Sequence, residues 1–573
     1  MAEFAEEISK ALEKTLGGRM KVMEIVPTLE IPPSPKMGDF AFPCFKLSPM
    51  LKKGPVAIAQ ELASKIKLPK TVKSVEAKGP YLNFFLAKQD IAQKAIEAAL
   101  KQGQKYGLSN LGKGKRAMVE YSSPNSNKPL HLGHLRNNSI GMAVAGILEA
   151  TGHKVVKANL VNDRGIHICK SMLAYQLFGK GKTPASENKK PDHFVGDYYV
   201  LFNKKVKESP DLEKQAYEML QKWEKKEKQT IELWKKMTKW ALAGFKETYK
   251  EFGSKFDAWF FESELYNKAN PILEKGKKKG IFANNDGGAL VAQLEKEGLP
   301  NKTVLRADGT SIYITNDLAL TKAKFEKHKL DKNYWVVGSE QDLYFRQLFK
   351  IFELLGFKWA NQCKHLSHGM VYLPSGKLKS REGKVIDADD IIAEMEALAA
   401  KEIKKRDEKI SKKEAKKRAR AIALSAIKFH MLKVGVQKDL LFNPKESISF
   451  EGETGPYIQY TFARAKSILE KAGKAKKPKV FTGLSSSEEQ KLAKLISSFP
   501  QVVEKAFQQL SPHVICQCLI ELAESFNSFY HKHAVAKAES PELRNQRIAL
   551  VQAAAQVLKN GLEILDIEAI ERM

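Results

Sequence analysis

The sequence predicts an α/β protein with a central parallel sheet, a small α/β domain before it and an all-helical bundle after it. Two apolar runs, 117–119 and 155–160, flank a helical pattern over 130–151, and this strand–helix–strand order with short links is typical of a parallel sheet. Apolar residues recur at helical spacing through nearly all of 421–573, which predicts the bundle. A chain of 573 residues has room for about three or four domains.

Residues 1–110 predict the first, small α/β domain, which ends in a turn-rich stretch at 107–114. Its first residues show apolar side chains at helical spacing, and a run of aromatic residues further on favours a strand. The predicted elements are helices at 4–16, 56–66 and 91–100 and a strand at 81–86.

Residues 111–400 predict the parallel-sheet domain, which a Lys-rich segment at 181–300 interrupts. The four tryptophans of this segment fall in long helical patterns, and this indicates a helical insertion. Further strands are predicted at 311–315, 334–337 and 369–373. A helical connection at 401–450, which includes the densely basic run 401–420, leads to the bundle at 451–573.

Charge and cysteine content narrow the class of protein. Lysines and arginines number 96 against 66 acidic residues, and the net charge of +30 favours a polyanionic partner, nucleic acid first. Five scattered cysteines without a CxxC pair predict neither disulfides nor a structural metal. The acidic, helical N-terminus does not resemble a signal peptide, and no apolar run reaches the roughly 18 residues of a membrane span. We therefore expect a cytoplasmic protein with no membrane partner.

The segment 122–134 is the most informative motif, because His131 and His134 lie three residues apart with Gly133 between them. Residues at i and i+3 share one helix face, and a helix N-terminus after a parallel strand is an anion site. The imidazoles could donate to phosphate oxygens, and the glycine would let a flat base approach the backbone. Two surface histidines beside a helix-packing glycine are the ordinary alternative.

A second motif is the glycine-flanked loop 376–384, which carries four cations. Lysine and arginine side chains in such a loop can neutralise charge that builds on a triphosphate in the transition state. A basic loop at the surface, in contact only with solvent, is the alternative interpretation.

Together the two motifs resemble the signatures of class I aminoacyl-tRNA synthetases. HLGH matches the His-x-Gly-His element of that class, and KLKSREG matches its Lys-Met-Ser-Lys-Ser loop. Longer stretches resemble the arginyl-tRNA synthetase family in particular, over most of 1–180 and 301–573. They are VEYSSPNSNKPLHLGHLRNNSIG, NLVNDRGIH, YITNDLAL, VVGSEQDLYFRQLFKI, HGMVYL, GETGPYIQYTFARAKSIL and the terminal ERM.

The resemblance implies a Rossmann-like catalytic domain with a helical insertion, an N-terminal additional tRNA-binding domain and a C-terminal anticodon-binding bundle. It implies ligation of L-arginine to tRNA(Arg) with ATP and Mg²⁺, through an arginyl-adenylate and transfer to the 2′-hydroxyl of the terminal adenosine. The family is mostly monomeric, and no structural metal is expected. Two alternatives stay open: a class I synthetase for another amino acid, and a non-enzymatic tRNA-binding paralogue.

The resemblance also assigns residues to the ATP side of the site. The positions that match catalytic ones are Lys128, His131, His134, Lys377 and Arg381. The positions that match ATP-binding ones are Gly133, Gly338, Glu340, Met370, Val371 and Ser380. Ser380 replaces the second lysine of the loop signature, and in arginyl enzymes with this loss the lysine just before His-x-Gly-His, here Lys128, is thought to compensate.

Selection of arginine needs a distinct pocket. A guanidinium is planar, permanently charged and carries five donors, so its pocket should hold a carboxylate and neutral acceptors. The positions that match the family's arginine contacts are Glu120, Asn125, Tyr313, Asp317 and Gln341. We expect Asp317 to pair with the guanidinium and Tyr313 to lie beside it, although each residue alone also has an ordinary interpretation as a turn residue, helix cap or surface side chain.

The tRNA surfaces are implied by the resemblance, which matches Asn83 to a base-reading position and Met573 to a position near the anticodon loop, and charge and aromatic content support the other candidates. Aromatic side chains can stack on the splayed bases of a single-stranded loop. The candidate tRNA-binding residues are Asn83, Tyr457, Tyr460, Arg464, Phe529, Tyr530 and Met573. The basic run 401–420 contacts RNA phosphates or is simply a solvated helix face, since acidic residues alternate with its lysines.

Overall fold

The computed structural model describes residues 2–32, 34, 37–86, 88–264, 268–310, 312–374, 386–406, 410–478 and 480–573. The N-terminal domain is a three-stranded antiparallel sheet, with β3 in the centre, packed on helices. Its elements are α1 Ala2–Thr15, α2 Val22–Ile25, β1 Phe40–Pro43, α3 Ser48–Leu51, α4 Pro55–Lys65, β2 Val72–Lys78 and β3 Tyr81–Leu86. Phe4, Ile8 and Leu12 enter one core with Leu82 and Phe84, so the helical spacing at the start of the chain is confirmed.

The second domain contains a five-stranded parallel sheet in the order β11-β10-β4-β5-β6. The chain moves outward from central β4 to β5 and β6, then returns to the other side of β4. Its elements are α5 Lys88–Gln102, β4 Arg116–Glu120, α6 Leu132–Ala150, β5 Lys154–Val161, α7 Ile166–Phe178, α8 Pro191–Glu208, α9 Asp211–Glu224, α10 Lys228–Phe252, β6 Ala258–Phe261, α11 Asn270–Lys278, β7 Phe282–Asn284, β8 Leu290–Ala292, β9 Lys302–Leu305, α12 Tyr313–His328, β10 Lys332–Gly338, α13 Asp342–Leu354, β11 Cys363–His368 and β12 Val371–Tyr372. Helix α6 follows β4, as predicted.

The C-terminal third is helical apart from one short strand. Its elements are α14 Ala388–Arg406, α15 Lys412–Leu432, β13 Leu440–Leu441, α16 Pro444–Ser447, α17 Gly455–Ala472, α18 Ser487–Gln509, α19 His513–Lys532 and α20 Pro541–Ile564. β13 pairs in parallel with β12. One apolar core runs from α6 through α15 and α17 into the bundle. None of the helices described is long and apolar enough to cross a membrane.

The helical insertion is confirmed for α8 to α10, but the predicted span 181–300 is not helical throughout. Trp259 lies in β6, the strand that completes the parallel sheet, and 282–305 contains a separate antiparallel sheet of β7, β8 and β9. These strands have only three or four residues each, so they are too short to show a strand period.

Two further predictions need correction. Within the predicted strand 311–315, residue 311 lies outside the described residues and 313–315 instead begin α12, where the hydroxyl of Thr315 accepts a hydrogen bond from the Ile312 N–H at 3.1 Å and caps the helix. The predicted helix 91–100 exists as part of α5, but its Ala95 and Ile96 pack in the core shared with α18 and α20 rather than in the N-terminal domain. Helix spacing alone does not show which neighbour buries an apolar face.

Candidate active site

The candidate site lies at the carboxyl ends of the parallel strands, where the strand order reverses between β4 and β10. Ligands bind in this crevice in open α/β sheets. Four residues mark the carboxyl ends of neighbouring strands at this edge of the sheet. Glu120 ends β4, Asp163 follows β5, Glu262 follows β6 and Gly338 ends β10. Asp163 accepts hydrogen bonds from the backbone N–H and the hydroxyl of Ser263 at 2.9 and 2.7 Å, and so joins the ends of two strands.

The His-x-Gly-His motif forms the first turn of α6, as predicted. His131 is the N-cap residue, and its Nδ1 accepts the Gly133 N–H at 3.2 Å. His134 Nδ1 in turn accepts the His131 N–H at 3.1 Å, and the two ring centroids lie 3.9 Å apart. A Cβ on Gly133 would lie 3.0 Å from the His131 ring, so the glycine leaves space for the capping imidazole.

Both imidazoles are neutral near pH 7. Burial and the charge of Lys128 lower the pKa of His131 to about 4. Burial, His131 and Lys128 hold the pKa of His134 well below its ordinary value. Because each Nδ1 accepts a backbone N–H, the single proton of each neutral ring is on Nε2. Each ring therefore has one N–H donor left for a ligand.

Lys128 is half-buried and forms no ion pair with the residues described. Burial lowers the pKa of Lys128, which is the physical cost of an ammonium without a partner. Asn125 lies on the same loop, and its backbone forms a parallel bridge with Asn162 after β5. The loop is thereby held across the crevice.

The turn between β4 and this loop is strained. Ser122 and Ser123 have φ values of 75° and 48°, a left-handed conformation that is uncommon for serine. The Ser122 N–H donates to Asn137 of α6 at 2.6 Å, and its hydroxyl bonds Tyr249 of α10 at 2.7 Å. Such strain persists only where surrounding contacts fix it, and it is concentrated at functional sites.

Two acids, the half-buried Asp317 and the buried Glu262, lie close together where the arginine pocket is predicted. Burial raises the pKa of Asp317 to about 6, although the Tyr344 hydroxyl donates a hydrogen bond to its carboxylate. Burial and the carboxylates of Asp317 and Asp163 hold the pKa of Glu262 well above its ordinary value. Neither Asp317 nor Glu262 forms a salt bridge within the described part of the chain. Tyr313, one turn before Asp317, is 55% exposed and stands at the mouth of the pocket.

Glu120, predicted as part of this acidic floor, has a different partner. Its carboxylate forms a salt bridge with Lys324, and both side chains are almost completely buried. The Lys324 ammonium also lies 5.2 Å from the Phe260 ring and 5.6 Å from the Trp335 ring. Glu120 is therefore already neutralised inside the protein. The second free acid is Glu262, which the sequence analysis missed; its only signal is its place directly after a short aromatic run.

The remaining predicted ligand positions differ in how open they are. Glu340 and Gln341 are exposed after β10, and a Cβ on Gly338 would meet nothing closer than 3.9 Å. Both backbone groups of Met370 are already used: its N–H donates to Asp439 at 2.7 Å, and its carbonyl accepts from Arg136 at 2.8 Å. Val371 is the neighbouring predicted position. The loop residues Lys377, Ser380 and Arg381 lie outside the described residues.

Four of the predicted tRNA-binding residues form one half-exposed cluster, which we call the tyrosine cluster. Arg464 donates to the Tyr460 hydroxyl at 2.9 Å and lies 4.6 Å above that ring and 6.0 Å from the Tyr530 ring. Asn527 donates to the Tyr457 hydroxyl at 2.9 Å and accepts from Arg464 at 2.7 Å. The cluster thus presents aromatic faces and a guanidinium on one surface of α17 and α19.

Three other predicted tRNA-binding residues are less accessible. Phe529 is 0% exposed in the helical core, so a stacking role for it is wrong. Asn83, on the central strand of the N-terminal sheet, is 2% exposed, and its position does not support base reading. Met573 packs partly against the main core. The sequence shows which residues are aromatic or polar, but it does not show whether each side chain faces solvent or the core.

Three family models match the chain. The model for tRNA synthetases class I (R), catalytic domain, matches residues 95–443. The arginyl tRNA synthetase N terminal domain matches residues 2–86, and the DALR anticodon binding domain matches residues 458–573.

Known proteins agree with these models. The arginine–tRNA ligase of Treponema denticola is 43% identical over 557 residues, which cover 95% of this chain and 94% of the relative. That of Borrelia hermsii is 40% identical, with coverage of 100% and 99%. The structure of Thermus thermophilus arginyl-tRNA synthetase matches with a TM-score of 0.83 at 27% identity over 99% of both chains. The Plasmodium falciparum arginyl-tRNA synthetase shares the fold, with a TM-score of 0.78 at 18% identity over 98% and 97%.

The parallel sheet with its switch crevice, and the imidazole pair at the start of α6, are features of a class I aminoacyl-tRNA synthetase. Within this class the chain belongs to the arginyl-tRNA synthetase family, since the class I (R) catalytic model covers more than half of its length. The chain is thus a ligase of the kind that the two motifs predicted. A synthetase for another amino acid is set aside.

Proposed function

We propose that this enzyme charges tRNA(Arg) with L-arginine in two steps, with ATP and Mg²⁺ as substrate. In the first step a carboxylate oxygen of arginine attacks the α-phosphorus of ATP, and pyrophosphate leaves. In the second step the 2′-hydroxyl of the terminal adenosine attacks the carbonyl carbon of the adenylate, and AMP leaves. No bond to the enzyme forms, so its residues act by positioning and by stabilising charge.

The observation that carries this proposal is a pair of acids, the buried Glu262 and the half-buried Asp317, that form no salt bridge among the described residues. The charges of Lys324 and Arg164 lower their pKa values, but burial outweighs this and both pKa values stay raised. A buried charge without a partner is costly, and two of them close together raise each other's pKa. A guanidinium removes this cost, because it is always charged and can donate to both carboxylates. Tyr344 holds Asp317 in place, and Tyr313 closes the pocket from its exposed side.

Among the described residues, the ATP side of the proposed site is built from neutral donors and the Lys128 ammonium, to which the predicted loop cations Lys377 and Arg381 would add. The Nε2–H groups of His131 and His134 donate to phosphate or ribose oxygens without adding charge. Lys128 is the nearby positive group, and it would stabilise the charge that develops on the phosphate oxygens. Gly338, Glu340 and the Val371 backbone are proposed to hold the nucleoside, with Asn125 and Gln341 on the amino and carboxylate groups of arginine.

The tRNA side of the proposal depends on the C-terminal bundle. The tyrosine cluster offers stacking faces for anticodon-loop bases, and Arg464 can contact the adjoining phosphates. This function rests on the match of 458–573 to an anticodon binding domain and on the half-exposed state of the cluster.

The test is arginine-dependent ATP–pyrophosphate exchange with tRNA present, comparing arginine with its uncharged analogue citrulline. We expect Glu262→Gln and Asp317→Asn each to raise the KM for arginine at least about 30-fold, the loss expected when one member of a buried charge pair is removed. Both variants should also reduce the preference for arginine over citrulline. Glu264→Gln, at an exposed acid two residues from Glu262, is the matched control. An unchanged arginine KM in both pocket variants would show that the pocket is misassigned.

A further inference from the structure

A half-buried ion-pair cluster links the helical insertion to the segment that follows the basic loop. Its members are Lys190 and His193 at the start of α8, Thr248 on α10 and Asp389 at the start of α14; we call it the insertion cluster. Asp389 Oδ2 lies 2.6 Å from the Lys190 ammonium and 2.8 Å from His193 Nε2, and Oδ1 accepts from the Thr248 hydroxyl at 2.8 Å. One carboxylate therefore holds three separate donors of the insertion.

Further acids and a close backbone contact complete the cluster. Asp192 Oδ1 accepts the His193 N–H at 3.0 Å, and Asp387 Oδ2 lies 3.7 Å from His193 Nδ1. A Cβ on Gly244 would lie 2.1 Å from Asp192 Oδ1, so α10 can approach only because that residue is glycine. The ammonium of Lys190 already supplies a cation among these carboxylates, which leaves a metal ion with no role here.

The segment held by this cluster is hydrogen-bonded to the histidine motif. The Leu132 N–H donates to the Ile386 carbonyl at 3.1 Å, and the Ala388 N–H donates to the Leu130 carbonyl at 3.0 Å. These two bonds form a bridge between His131 and Asp387. The first turn of α6 is thus fixed on one side by a segment that the insertion holds in place.

We propose that the insertion cluster positions the imidazole of His131 for adenylate formation. Lys190, His193 and Asp389 are positioning residues, since they act through the backbone bridge and not on the substrate. This inference rests on the proposed function, in which His131 contacts ATP. It assigns a role to the insertion helices α8 and α10, which contribute no residue to the nucleotide or arginine contacts proposed above.

The first readout needs no substrate. Hydrogen exchange of the Leu132 and Ala388 amides should be roughly tenfold faster in His193→Ala and in Asp389→Asn, because local opening of the bridge becomes easier. His193→Gln retains an N–H donor toward Asp389 and should restore part of the protection. Lys189→Gln is the matched control, since the neighbouring Lys189–Asp197 pair at 2.5 Å is exposed and lies outside the cluster.

The second readout is kinetic. In tRNA-dependent exchange we expect kcat to fall about 10- to 100-fold in the two cluster variants, the effect of a small misplacement of a reacting group, with an unchanged KM for arginine. If His193→Ala does not fold, Thr248→Val, which removes only one hydroxyl donor, replaces it. If the cluster variants show the same amide-exchange protection and the same kcat as Lys189→Gln, the inference is overturned. A loss of arginine affinity in parallel with the loss of kcat would also overturn it. A wild-type enzyme without arginine-dependent exchange would instead refute the proposed function, while amide exchange would still test the bridge.

Discussion

At the scale of single residues, partners decide which charged groups are available for a substrate. Glu120 and Asp317 both match arginine-binding positions, but Lys324 forms a salt bridge with Glu120, whereas the hydrogen bond of Asp317 in the described part of the chain comes from the Tyr344 hydroxyl. Glu262 joins Asp317 because the short strand β6 ends beside β5. In the proposed site the guanidinium would pair with Asp317 as Lys324 pairs with Glu120.

The raised pKa of Asp317 predicts a pH dependence of arginine binding. The guanidinium requires the ionised carboxylate, and a proton competes with it below the pKa of about 6. Affinity should therefore rise as pH increases through about 6, with proton release on binding, and the raised pKa of Glu262 adds a second contribution of the same sign. Calorimetric titration in buffers of different ionisation heat measures both. Asp317→Asn should remove the part of the rise near pH 6 that belongs to Asp317, and a flat profile in the wild-type enzyme would contradict the prediction.

At the scale of elements, α6 connects the parts of the molecule. Its first turn carries the imidazole pair, and its buried Arg136 donates to the carbonyls of Met370, Val436 and Lys438 at 2.8, 3.1 and 2.5 Å. Further along, Gly146 touches the end of α20. One helix therefore contacts the candidate nucleotide site, the connecting segment and the bundle.

Gly146→Ala should weaken the contact between α6 and α20. A Cβ at this position would lie 2.2 Å from the Ile564 carbonyl oxygen, so one helix has to move. We expect a destabilisation of about 1–3 kcal/mol, as for other overpacked core positions, seen as a lower Tm in thermal melting. Gly287→Ala, where a Cβ would meet nothing closer than 3.6 Å, is the control and should melt like the wild type. Equal Tm values for both variants would argue against a tight α6–α20 contact.

At the scale of the whole molecule, net charge and the continuous core matter most. A net charge of +30 adds electrostatic self-repulsion to the folded chain. The phosphates of a bound tRNA would neutralise part of this charge. The core that unites α6 with the C-terminal helices makes the catalytic domain and the bundle one packed body. Anticodon-side and ATP-side surfaces are therefore held at a defined separation.

Binding of tRNA should depend steeply on salt, whereas binding of arginine should not. Counterion release predicts that the KM for tRNA rises at least about tenfold between about 50 and about 200 mM KCl. The KM for arginine should change little, because Glu262 is buried and Asp317 half-buried, so salt screens this pair less than surface charges. Aminoacylation kinetics across this salt range measure both constants. A parallel rise of the two would point to a general loss of activity instead of phosphate contacts.

Local patterns in the sequence determined the order of elements, the helical bundle and the histidine motif at the start of α6, because each depends on neighbours within one turn or strand. They also predicted Asp317 as the partner of the guanidinium, since its match to the family is local. Only the tertiary structure shows that Lys324 forms a salt bridge with Glu120 and that Glu262 lies beside Asp317. It also shows that α5 packs in the bundle core and that Phe529 faces inward. These depend on residues far apart in the chain, and burial and charge pairing are properties of the folded molecule.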